Sequence, residues 1–67
     1  MKESYIKRYE ETLRDYFDDG TEQGRIAKYA KSKEQEYVLE TVFGVSYEDI
    51  KAIHDKEYRR AREENKR

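Results

Sequence analysis

The stretch FGVSYEDI, residues 43–50, decides how this chain is divided. Gly44 closes an apolar run and suits the left-handed turn with which many helices end. Ser46 stands three residues before Asp49, a spacing that starts a helix because the Ser side chain can bond a free backbone N–H of its first turn. Val45, just ahead of that cap, can pack on Ile50 in the new helix as a hydrophobic staple. One stop signal and two start signals therefore agree on a sharp corner between two helices.

Upstream of the corner, Tyr37, Val38, Leu39, Thr41, Val42 and Phe43 make the most hydrophobic stretch of the chain. It is apolar around more than half a helix circumference and is expected to lie centrally in the packing. Thr21 can cap a helix that begins near residue 22. Within it Ile26, Tyr29 and Ala30 form a short apolar stripe among Lys28, Lys31 and Lys33. Ser32 and Gln35 have the form of a capping box, so this region reads either as two helices, 22–31 and 33–43, or as one that runs through.

Nearer the N-terminus, Ile6, Tyr9, Leu13, Tyr16 and Phe17 recur at the spacing of one helical face over residues 4–19. Glu3/Lys7 and Glu10/Arg14 are placed to pair along that helix, and Gly20 reads as its stop. Beyond the corner, Tyr47, Ile50, Ile53, His54, Tyr58 and Ala61 mark one side of a helix over 47–63. The basic end of that helix, about 60–67, is expected to fray. The pattern predicts an all-α fold, a bundle of three or four helices in a single domain spanning 1–67.

Sixty-seven residues support only a small core, and below about 70–80 residues such a core rarely supplies more than ~3–5 kcal/mol. With no Cys in the chain, disulfides and thiolate zinc sites cannot make up the shortfall. Self-association, for instance as a homodimer, or a protein partner is the remaining route. The 15 Lys and Arg nearly cancel the 16 Asp and Glu, so no net field draws the molecule towards nucleic acid. No apolar run approaches the ~20 residues of a membrane span. MKESYIKRYEE lacks the apolar segment of a signal peptide, and the expected location is the cytoplasm.

Residues 39–53 resemble a helix-turn-helix motif, with Gly44 in the turn and Leu39, Phe43, Val45, Ile50 and Ile53 at the positions that motif buries. The resemblance implies a small dimeric DNA-binding regulator, with Tyr47 and Lys51 as nucleic-acid contacts; separately, the clustered Arg59, Arg60 and Arg62 beside a Tyr in YRRAREENKR offer further nucleic-acid contacts, although basic residues near a helix end also serve its dipole and local pairs. Two departures oppose the resemblance. Glu40 occupies a place where that motif usually has a small residue, and Glu48 and Asp49 put carboxylates at the end that would approach phosphates.

Catalytic and metal chemistry find no support in the residue pattern. If DYFDDGTEQGRI, residues 15–26, were a calcium loop with Gly20 sixth, Phe17 and Ile26 would fall where the metal needs oxygen. His54 is the only His and no Cys can join it. Ser4, Ser32 and Ser46 have terminal or capping roles and no base in a recognisable relation. No cofactor and no metal are expected, and the chain is not expected to be an enzyme.

What remains is the aromatic inventory, seven Tyr against two Phe and no Trp. Tyr5, Tyr9 and Tyr16 widen the apolar arc of the first helix beyond what one small core covers, and Tyr is enriched among interface hot spots. These three residues are the candidate partner-binding face of a non-catalytic module that regulates or inhibits a larger protein. In size and composition the chain also resembles accessory proteins of bacteriophages and mobile elements, a likeness that no motif carries.

Overall fold

The computed structural model describes residues 1–64. They form three helices, α1 (Lys2–Asp18), α2 (Glu22–Thr41) and α3 (Tyr47–Glu64). Among the described residues every regular element is helical, as the apolar periodicity predicts. α1 runs antiparallel to α2, since Tyr5 near its start meets Phe43 and Tyr16 near its end meets Tyr29. It runs parallel to α3, with Glu10 on Lys56, Arg14 on Glu57 and Phe17 on Tyr58. α1 packs against both other helices, whereas α2 and α3 touch each other little.

The centre of the packing is therefore α1 and not the 37–43 stretch. Tyr9 and Leu13 of α1 join Leu39, Val45 and Ile50 in the buried core, with Tyr5, Ile6, Phe17, Phe43 and Ile53 half-buried around it. Of the apolar run before Gly44, only Leu39 is fully enclosed, while Tyr37 and Val42 face outward. α2 has a neighbour on one side alone, so a run that is apolar around most of its circumference leaves part of itself uncovered.

α2 is continuous through Ser32. The Ser32 hydroxyl is buried and donates to the Tyr29 carbonyl at 2.7 Å instead of capping a new helix. That bond back to the preceding turn satisfies the hydroxyl without breaking the helix. Thr21 does cap α2, its side chain accepting from the Gly24 N–H at 3.1 Å. A Cβ at Gly24 would collide with the Asp19 carboxylate, which also accepts from Thr21 and from Lys28. Lys28 and Thr21 hold the Asp19 carboxyl well below the usual carboxylate range.

The corner at 43–50 has the predicted chemistry. Gly44 is left-handed at φ 66°, the Val45 N–H returns to the Leu39 carbonyl at 2.9 Å, and the Ser46 hydroxyl accepts from the Asp49 N–H at 3.1 Å. Val45 and Ile50 are both buried. Gly20 differs: it has no positive φ, and a Cβ there would meet nothing within 4 Å. Gly44→Ala is expected to cost ~1–2 kcal/mol, because only the backbone is strained. Gly20→Ala is expected to be neutral or to gain ~0.4–1 kcal/mol by restricting the unfolded chain. Urea titration of the two variants checks the contrast, and equal midpoints would contradict it.

α3 continues beyond residue 63 to Glu64, so the end expected to fray is helical that far; residues 65–67 lie outside the described residues. No helix among the described residues is long and apolar enough to cross a membrane.

Candidate protein-interaction face

The three Tyr singled out on α1 do not form one exposed face. Tyr9 is 0% exposed; its ring lies in the core and its hydroxyl donates to Glu36 at 2.6 Å. Burial and the Glu36 carboxylate push its phenol far above the ordinary range. Tyr5 is half-buried against Phe43, with ring centres 5.4 Å apart. Tyr16 is also half-buried, but it opens onto a surface that the α1 pattern alone does not disclose.

That surface is an aromatic chain across all three helices. Tyr16 meets Tyr29 of α2 at 6.0 Å and Phe17 at 5.1 Å, and Phe17 in turn meets His54 at 5.6 Å and Tyr58 at 5.5 Å, both on α3. Tilted and edge-on geometries at these separations are the favoured ones for aromatic pairs. At one end the chain opens into a hollow of about 390 Å³ shared by Tyr16, Ile26 and Tyr29. Between α2 and α3 lies a second hollow of about 240 Å³, with Lys33 on one wall and Tyr47, Lys51 and His54 on the other. Lys33 joins the two, its ammonium lying 5.2 Å from the centre of the Tyr29 ring.

Much of this surface is open. Ile26 is 63% exposed, Tyr29 51% and Tyr47 70%, and Tyr37 and Tyr58 are exposed as well. The signal in α2 was present in its sequence: Ile26, Tyr29, Lys33 and Tyr37 follow helical three-and-four spacing. What it could not convey is that no other helix among the described residues covers that row.

The residues of the DNA-contact alternative do not all share one face. Tyr47 and Lys51 line the α2–α3 hollow, and the Arg62 guanidinium lies 5.9 Å from the Tyr58 ring centre. Arg60 is turned to the α1 side, held by Glu57 at 3.4 Å and Glu64 at 3.2 Å. Arg59 is exposed, as are Glu48 and Asp49 at the start of α3. The weak contact between α2 and α3 also differs from the close helix pair of the motif.

Among the described residues no three His, Cys, Asp or Glu side chains converge to hold a metal ion. Comparison of the chain with protein-family models, with curated proteins and with solved structures finds no match.

Proposed function

We propose that this chain is a small non-catalytic interaction module that docks on a larger protein and regulates or inhibits it. The observation that carries this reading is the pairing of exposed Tyr29 and Tyr58 through Tyr16 and Phe17, with exposed Ile26 and Tyr47 lining the hollows beside them. Exposed aromatic residues in one connected surface are the side chains that dominate binding energy when a partner excludes water from them. The thin core gives a second reason, since a bundle of this size gains stability from whatever covers such a surface. A cysteine-free chain suits action in the cytoplasm. The DNA-binding alternative has less support, because Arg60 is held by Glu57 and Glu64 and exposed Glu48 and Asp49 open α3.

The test is retention of a partner from native-host extract by the immobilised protein, compared with Tyr29→Ala plus Tyr47→Ala and with Lys7→Ala on the exposed surface of α1. The aromatic double variant is expected to retain the partner at least about tenfold less, the loss expected for one or two hot-spot side chains, with unchanged helicity by circular dichroism. Lys7→Ala is expected to behave as wild type. Equal retention by all three proteins would reject this face.

A further inference from the structure

The open side of the bundle also carries information about what would cover it. α2 and α3 pack on α1 and touch each other little, leaving a trough between them: Lys33 of α2 and Lys51 of α3 line its hollow, Arg25 of α2 lines the neighbouring hollow of Tyr16 and Tyr29, and Arg62 of α3 lies over the Tyr58 ring. Among the described residues Arg25, Lys51 and Arg62 have no carboxylate within ion-pair distance. Two carboxylates in the trough are already engaged. Glu36 accepts from Tyr9 and faces Lys33 at 3.4 Å, and Asp55 lies 3.4 Å from the His54 ring. Glu22, at the other end, sits in the first turn of α2, where the helix dipole favours it.

From this arrangement we infer that the trough takes an amphipathic helix of a partner protein, with apolar or aromatic residues seated on the Tyr29–Phe17–Tyr58 floor and Asp or Glu on both of its flanks. The inference rests on the interaction reading above and adds the chemistry of the partner. Arg25 to Lys33 spans about 12 Å along α2, and Lys51 to Arg62 about 16 Å along α3, at 1.5 Å per residue. The cations therefore bracket two to three turns of a docked helix, a length typical of helix-in-groove recognition. In effect the partner supplies a fourth helix to a bundle that has a seat for one.

Two other occupants fit less well. A nucleic-acid strand carries a charge at every phosphate and could not avoid Glu22, Glu36 and Asp55, whereas a helix can place carboxylates only where cations await them. A second copy pairing through this same face about a two-fold axis would set like cations against each other, which disfavours association.

The test is a display selection of helical peptides with a fixed Leu/Phe face and randomised flanks against the whole protein, followed by anisotropy with a labelled enriched peptide. Asp and Glu are expected to dominate both flanks. Affinity is expected to fall at least about tenfold in Lys51→Glu plus Arg62→Glu, and to weaken as salt is raised. Neutral or basic flanks, no enrichment, undiminished binding by the charge-reversed protein, displacement of the peptide by oligo(dT), or self-association through this face would each overturn the inference. A native partner lost in the Tyr29→Ala plus Tyr47→Ala variant but retained by the charge-reversed one would overturn it while leaving the interaction reading in place.

Discussion

Tyr9→Ala is expected to leave the chain largely unfolded in buffer at room temperature. The Tyr9 ring is enclosed by the same cluster that holds Leu13, Leu39, Val45 and Ile50. Truncating a buried aromatic costs ~3–5 kcal/mol, which is as much as the whole core of so short a chain supplies, ~3–5 kcal/mol. Tyr9→Phe keeps the ring and loses only the bond to Glu36, so it should fold with a loss of ~1.5–3 kcal/mol, the range for bonds to charged groups. Circular dichroism against temperature and urea separates the two outcomes; an alanine variant that melts within a few degrees of wild type would remove Tyr9 from the core.

The same residue fixes an alkaline limb. Burial and Glu36 raise the Tyr9 phenol in the folded state, so its contribution is fully present below the unfolded value of about 10 and declines as pH rises beyond it. Relative to Tyr9→Phe, wild type is expected to lose up to about 1.4 kcal/mol per pH unit above that point. Parallel stability profiles for the two proteins between pH 9 and 11 would contradict the assignment.

Tyr9 also shows where the sequence was legible and where it was not. The corner at 43–50 could be read residue by residue, because left-handed glycine, capping and stapling are local and each is carried by one side chain. The Thr21 cap was legible for the same reason. The wide apolar arc of α1 was legible too, but its meaning was not. Without the topology it implied a missing partner, whereas α1 is flanked by both other helices and its arc is covered from within the chain. The uncovered apolar surface lies instead on α2 and α3, which touch each other little and each have α1 as their one close neighbour among the described residues. Ion pairs failed similarly: Glu10 and Arg14, spaced to pair with each other along α1, reach across to Lys56 and Glu57 on α3. Long side chains on a helix facing another can pair along it or across, and only the packing decides.

Glu57 is the clearest case, and it yields the second large effect. In EYRRAREE it reads as part of a solvated charge run, yet it lies on the line from Ile50 to Ala61 and is 2% exposed. One oxygen accepts from the Arg14 Nε at 2.7 Å and faces Arg60 at 3.4 Å, while the other is buried with no hydrogen-bond partner among the described residues. Burial would raise this carboxyl, but Arg14 and Arg60 outweigh it and hold it below the usual range. Its contribution is therefore fully present above the unfolded value of about 4.3 and is lost as pH falls through the lower folded value.

Arg14→Met is expected to destabilise the bundle, since the half-exposed Arg14 makes the shortest ion pair of the buried Glu57 carboxylate and only the longer contact to Arg60 would remain. Adding Glu57→Leu should restore several degrees of melting temperature, because it removes the buried carboxylate that Arg14 compensates and puts an apolar side chain of similar size in its place. The single variant should also weaken the pH response. With Arg14 gone, only Arg60 opposes the burial of Glu57, so the carboxyl rises from its wild-type position and the acid loss of stability is expected to be smaller in Arg14→Met than in wild type. Equal melting of the single and double variants, or a wild-type acid profile for Arg14→Met, would show that water reaches Glu57. Arg14 would then be a surface charge and not the partner that makes a buried carboxylate tolerable in so small a core.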